Sequence, residues 1–124
     1  MRHVRVTNRT RDVLLAEQAE LADNYWTRFV GLMGRRELPT GTGLVLKPGG
    51  GIHMWFMRIA LDVVHVDKQD RVTHVLRGIR PWRFGPLFVG SKLAIELPVG
   101  AADETRVGDV IEIEPVDETG PRVE

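Results

Sequence analysis

The residues most able to do chemistry lie in the segment Gly49–Asp62, where three glycines precede a histidine, a tryptophan and two methionines. If Ile52–Met57 is a strand, alternate side chains share one face. That face carries the imidazole, indole and thioether of His53, Trp55 and Met57. Such a face is typical of a pocket wall, and glycines let backbone approach a ligand closely. The alternative is a core strand whose histidine bonds to a backbone carbonyl.

Asp62 lies within the apolar segment Leu61–Val66. A carboxylate there needs a partner, because an unpaired buried charge is very costly. The candidate partners are Arg28, Arg58 and His53. A pair with the histidine would orient its imidazole as a general base, which predicts hydrolase or lyase chemistry. The alternative is a buried salt bridge that only supports the fold.

A ribbon of arginines and aromatic residues, Arg77–Phe84, could stack bases or bind an acidic partner. The alternative is that arginine stems cover exposed rings. The chain has 17 basic and 17 acidic residues, and this neutral balance argues against a dedicated nucleic-acid binder.

The charges are unevenly spread, with five basic and no acidic residues in Arg71–Ile95 and nine acidic residues with two arginines in Glu96–Glu124. This predicts either a surface that attracts an anionic partner or charge pairing between neighbouring strands.

The chain contains no cysteine, which excludes disulfides, thiolate zinc sites and cysteine nucleophiles. Its histidines form no compact ligand motif, and no phosphate-binding or dinucleotide-binding loop is present. We therefore predict no metal and no cofactor. No apolar run reaches the roughly 18 residues of a membrane span, and the N-terminus has no apolar signal core, so we expect a cytoplasmic protein without a membrane partner.

The elements that must position these residues are mostly strands. Thirteen glycines and seven prolines interrupt short apolar segments, a pattern typical of a mainly β domain. The predicted strands are His3–Val6, Gly43–Leu46, Ile52–Met57, Leu61–Val66, Val72–Ile79, Leu93–Leu97 and Val110–Ile113. Asp12–Glu20 is compatible with either a strand or a helix, and Asp67–Asp70 suits a hairpin turn. A helix is predicted over Asp23–Met33 from its apolar stripe, and a second short one over Ala101–Arg106.

Several spaced motifs resemble those of the uncharacterised family known as DUF192 or UPF0127, over residues 3–114. The matching segments are Thr27–Arg35, Ile52–Val64, Arg80–Arg83, Ala94–Gly100 and Gly108-Asp109. Two residues depart from the family pattern. Ala60 replaces a usual proline, and His65 replaces a usual phenylalanine, which makes His65 a poor candidate for catalysis or metal binding.

The resemblance implies a compact β-sandwich or barrel-like single domain with one or two short helices. It would occupy residues 1–115, followed by a flexible tail over 116–124. No established reaction, ligand or cofactor comes with the family. The family-typical positions are Arg28, Gly31, Met33, His53, Met57, Asp62 and Glu96.

Our leading hypothesis from the sequence is a binding domain that holds a small polar ligand in a cleft near His53 and Asp62. The candidate contacts are Arg28, His53, Trp55, Met57, Asp62 and Glu96. The rival hypotheses are an enzyme that uses a His53–Asp62 pair and a partner-binding module that uses the Arg77–Phe84 ribbon.

Overall fold

The computed structural model describes residues 2–22, 39–47, 60–79 and 92–116. They form seven strands: β1 (Arg2–Asn8), β2 (Val13–Ala22), β3 (Thr42–Leu46), β4 (Leu61–Val66), β5 (Val72–Ile79), β6 (Leu93–Pro98) and β7 (Ile111–Pro115). The predicted helix Asp23–Met33, the predicted strand Ile52–Met57 and residues 80–84 of the ribbon lie outside the described residues. Within the described part there is no helix, and hence none that could span a membrane.

The strands form one sheet in the order β5-β4-β6-β3-β2-β1-β7. All neighbours are antiparallel except β2 and β3, which run parallel. The sheet curls until its two edges approach, where Arg71 and Val110 form an antiparallel bridge. The predicted mainly β fold is therefore confirmed, as a curled, half-barrel sheet.

The two faces of the sheet carry separate apolar clusters, because successive side chains of a strand point to opposite faces. The larger cluster fills the inside of the curl and includes Val6, Val45, Val64, Ile95 and Leu97. The smaller cluster lies on the other face of the central strands and consists of Leu44, Leu46, Leu61, Val63 and Ala94. Strands β3, β4 and β6 are therefore buried on both faces, as their almost unbroken apolar sequences require.

The described strands match the predicted ones to within a few residues at their ends. The ambiguous segment Asp12–Glu20 falls largely within β2, and Asp67–Asp70 forms the turn between β4 and β5, with Asp70 at a φ of 64°. Pro115 ends β7, and the Val116 amide still donates to the His3 carbonyl at 3.0 Å.

The predicted short helix over Ala101–Arg106 is wrong, because these residues form successive turns. The Asp103 amide donates to the Gly100 carbonyl, and the Thr105 amide donates to the Ala102 carbonyl. The Ala102 and Thr105 carbonyls also accept from the Arg77 guanidinium. Long-range hydrogen bonds thus occupy backbone groups that a continuing helix would have used within itself.

Candidate functional site

Asp62 is fully buried in β4, on the inner face of the sheet. Its Oδ1 accepts from the Gly78 amide at 2.9 Å. Its Oδ2 accepts from the amides of Gly100 at 2.9 Å and Ala102 at 3.2 Å. One carboxylate therefore joins the end of β5 to the turns that follow β6.

These three bonds answer the question of how a carboxylate is tolerated in an apolar strand. Backbone N–H groups satisfy it, because an ionised carboxylate offers about four acceptor positions and three are used. The sequence predicts only ionisable side chains as partners of Asp62, namely Arg28, Arg58 and His53. All three lie outside the described residues.

Glu96 is the second buried carboxyl group of the central strands, with 1% of its surface exposed. It lies in β6 opposite Leu44 of β3 and Val63 of β4. Desolvation by burial raises the pKa of Glu96 from 4.5 to about 8, so the group is largely protonated at neutral pH. Its Oε2 has no hydrogen-bond partner within the described part of the chain.

The register of β4 and β6 places these two carboxyl groups on opposite faces of the sheet. Asp62 is opposite Leu97, whereas Glu96 is opposite the next residue, Val63. Adjacent residues of a strand point in opposite directions, so Asp62 faces the inside of the curl and Glu96 faces the smaller cluster. The structure does not bring the two candidates together. Of the other predicted contacts, Arg28, His53, Trp55 and Met57 lie outside the described residues.

His65 is buried in β4 on the same face as Glu96, since it lies opposite Ala94. Its ring meets the His74 ring edge-on, with centroids 6.2 Å apart and an interplanar angle of 89°. This is the geometry of a packed aromatic pair. His65 thus packs against a second ring within the sheet.

Arg77, the first residue of the ribbon, binds its own chain. Its Nη2 donates to the Thr105 carbonyl at 2.6 Å and to the Ala102 carbonyl at 3.2 Å. This guanidinium therefore stabilises the turns after β6, the same turns whose Gly100 and Ala102 amides bind Asp62.

Asp109 is a buried carboxylate that sequence reasoning noted only as part of a Gly-Asp turn. Its Oδ2 accepts from Asn8 Nδ2 at 2.9 Å, Arg11 Nε at 2.7 Å and the Arg106 amide at 2.9 Å. Burial acts to raise the pKa of Asp109, but these hydrogen bonds and the Arg11 charge outweigh burial and lower it. The pattern could not be foreseen, because Asn8 is about a hundred residues away along the chain.

No three histidine, aspartate or glutamate side chains converge to hold a metal ion anywhere in residues 2–22, 39–47, 60–79 and 92–116. Of the predicted site residues that the structure describes, Asp62 is committed to backbone amides, and Glu96 keeps a buried oxygen open for a further hydrogen bond.

Comparison with known proteins agrees with this fold. The family model DUF192, described as "Uncharacterized ACR", matches residues 5–113. A UPF0127 protein of Thermococcus sibiricus is 33% identical over 113 residues, covering 86% of this chain and 73% of the relative. A UPF0127 protein of Pyrococcus furiosus is 31% identical over 114 residues, covering 85% and 94%.

Among solved structures, a protein of unknown function from Novosphingobium aromaticivorans superposes with a TM-score of 0.75. It is 24% identical to this chain, and the match covers 89% of this chain and 83% of the other. At that identity the likeness concerns the fold alone. The family model extends from β1 to β7 and includes both Asp62 and Glu96. The chain therefore belongs to the uncharacterised DUF192, or UPF0127, family.

Proposed function

We propose that the chain is a binding domain that holds a small polar molecule against Glu96. Arg28, His53, Trp55 and Met57, the contacts predicted from the sequence, would complete the site. The observation that carries the proposal is the buried Glu96 carboxyl group, whose Oε2 has no hydrogen-bond partner among the described residues.

A buried polar atom without a hydrogen bond costs about 1–3 kcal/mol of folding free energy. Apolar neighbours, Leu44 and Val63, lie directly opposite Glu96 on both adjoining strands. A leucine at this position would fit those neighbours without that cost, so a carboxyl group here is better explained by a ligand than by packing. A bound molecule that supplied the missing hydrogen bond would recover the lost free energy.

The protonation state of Glu96 indicates the ligand class. A protonated carboxyl group donates through its O–H and accepts through its remaining lone pairs. It therefore suits neutral groups that both donate and accept, such as amides and hydroxyls. The raised pKa of Glu96, about 8, keeps it in this form at neutral pH.

In this proposal Asp62 supports the framework and does not contact the ligand. The enzyme hypothesis receives less support, because three of about four acceptor positions of Asp62 already bind backbone amides. The ribbon hypothesis likewise receives less support, since Arg77 donates to its own chain.

The test is a thermal-shift screen of small neutral amides and polyols against the wild-type chain and four variants. A compound that raises the wild-type Tm should lose its effect in Glu96→Leu, His53→Ala and Trp55→Ala. The matched control is Glu17→Gln, which changes an exposed glutamate of β2 and should retain the full shift. Circular dichroism checks that each variant is folded.

Two results would count against the proposal. One is a screen in which no neutral polar compound raises the Tm of the wild type. The other is a shift that persists unchanged in Glu96→Leu, because that variant removes the hydrogen-bonding group on which the proposal depends.

A further inference from the structure

A cavity of about 590 Å³ lies on the inner face of the sheet, where β2, β3, β4 and β6 meet β7. Its apolar lining includes Leu21, Val45, Val66, Leu93, Ile111 and Ile113. Val45, Val66, Leu93 and Ile111 are buried members of the inner core. The cavity is thus a partly open cleft above the larger cluster, and its volume is within the range of about 300–1,000 Å³ that small-molecule sites occupy.

Within the described part of the chain, five charged side chains surround this apolar lining: Arg9, Lys47, Asp70, Lys92 and Glu112. Four of them form two ion pairs. Arg9 Nη1 lies 3.1 Å from Glu112 Oε1, and Lys92 Nζ lies 3.6 Å from Asp70 Oδ1.

Lys47 has no ion pair with any residue that the structure describes, and its side chain is exposed. Each pair is neutral in itself, so among the rim residues that the structure describes one positive charge, that of Lys47, is left without an ion pair. A lysine ammonium on its flexible stem is suited to meeting an anionic group at the mouth of a cavity.

From the apolar lining and the exposed Lys47 at the rim, we propose that the cavity binds a small amphiphile with an apolar body and a single carboxylate. The apolar body would contact Leu21 and Ile113, which are partly exposed, together with the edge of Leu93, and the carboxylate would pair with Lys47. An apolar body gains free energy by leaving water for the lining, and its one negative charge matches Lys47, the one cation without an ion pair among the described rim residues.

This site is separate from the proposed Glu96 site. Val45 lies opposite Ile95 on the inner face, whereas the neighbouring Leu44 lies opposite Glu96 on the other face. The inference therefore does not rest on the proposed function, and each can fail without the other.

The test is a titration of the full chain with hexanoate, octanoate and decanoate, followed by methyl NMR spectra. Saturable shifts should appear at the methyl groups of Leu21, Val45, Val66, Leu93, Ile111 and Ile113. The methyl groups of Leu44 and Leu61, on the Glu96 face, should remain in place. Affinity should rise about fourfold for each methylene that becomes buried.

Charge specificity provides the second arm of the test. Lys47→Glu should weaken octanoate binding at least fivefold, whereas Lys68→Glu, an exposed charge reversal in the β4–β5 turn, should not. Octyltrimethylammonium, which has the same tail and the opposite charge, should bind more weakly than octanoate to the wild type. Both lysines are exposed, so neither variant should disturb folding.

Any of three outcomes would overturn the proposal. The first is that octanoate shifts only the Leu44 and Leu61 methyl groups, which would place its binding on the other face. The second is that Lys47→Glu binds octanoate as tightly as the wild type. The third is that the chain self-associates through the cavity residues in sedimentation and octanoate neither binds nor competes, which would make a second copy the occupant.

Discussion

At the scale of single residues, Asp62 shows how a charged group can hold a fold together without a charged partner. Its three hydrogen bonds reach amides 16, 38 and 40 residues away along the chain. Hydrogen bonds to charged groups contribute about 1.5–3 kcal/mol each, roughly twice as much as those between neutral groups. The carboxylate is therefore a major stabilising contact between β4, β5 and the turns after β6.

We expect Asp62→Ala to lower the free energy of unfolding by roughly 3 kcal/mol or more, because it leaves three amides without their acceptor. Asp62→Asn should cost less but remain clearly destabilising, since an amide nitrogen cannot accept the bond from Gly78. Urea denaturation measures both. The control is Asp103→Asn, an exposed change in the same turns, which should stay within about 0.5 kcal/mol of the wild type. Equal stability of all three variants would contradict the structural role given to Asp62.

At the scale of elements, the close approach of β3 and β6 depends on one glycine. A Cβ atom on Gly43 would lie 2.8 Å from the Glu96 carbonyl oxygen and 3.0 Å from Leu97 Cδ2. The Glu96 carbonyl oxygen belongs to the backbone of β6, so it cannot rotate away from an added Cβ atom as the end of a side chain can. Glycine at this position therefore lets β3 lie between β2 and β6.

Gly43→Ala should consequently destabilise the chain by about 1–3 kcal/mol, the usual cost of overpacking a core. The thermal midpoint measures this loss. Gln18→Ala is the control and should leave the thermal midpoint nearly unchanged. Gln18 is exposed on β2 and lies opposite Thr42, the residue before Gly43 in β3. A Gly43→Ala variant as stable as the wild type would show that β3 and β6 can separate without cost.

At the scale of the whole molecule, two buried carboxyl groups give stability opposite dependences on pH. Glu96 has a folded-state pKa raised to about 8, so between pH 4.5 and about 8 the folded chain holds a proton that the unfolded chain releases. Stability contributed by its neutral form is complete below pH 4.5 and falls as pH rises through this window. Asp109 has a folded-state pKa below 3.8, so its contribution is present above pH 3.8 and disappears as pH falls through its folded pKa.

For Glu96 we expect the free energy of unfolding to fall by up to about 1.4 kcal/mol per pH unit between pH 5 and 8. Glu96→Gln keeps the shape and a neutral group, so this slope should vanish and the variant should exceed the wild type in stability at pH 8. Urea titrations at several pH values measure the slope, with Glu17→Gln as the exposed control. A slope that survives in Glu96→Gln would assign the effect to another group.

For Asp109, replacement by asparagine should cost on the order of 2 kcal/mol at pH 7, because charge-assisted bonds to Asn8, Arg11 and Arg106 weaken. The difference from the wild type should shrink as pH falls below 3.8, when the native carboxylate also becomes protonated. Thermal unfolding of the wild type and of Asp109→Asn between pH 2.5 and 7 measures how their stabilities converge. Asp12→Asn, at an exposed position with a φ of 56° that asparagine tolerates, should show no such convergence.

The sequence by itself determined the strands of the described part other than β2, because apolar alternation and glycine-rich turns act over a few residues. Leu61–Val66 and Val72–Ile79 were predicted with the bounds that the structure has. It also determined family membership, through motifs spread along the chain. It singled out Asp62, since a carboxylate in an apolar strand is conspicuous on its own.

Only the tertiary structure decided what those residues do. Asp62 binds amides that come from distant turns. The predicted helix over Ala101–Arg106 gives way to turns, whose Ala102 and Thr105 carbonyls accept from the distant Arg77. The register of β4 and β6 sets Asp62 and Glu96 on opposite faces. A shift of one residue would move every side chain of the shifted strand to the other face. The physical reason is that burial, hydrogen-bond partners and cavities depend on contacts between segments far apart in sequence, and local patterns do not specify which segments will meet.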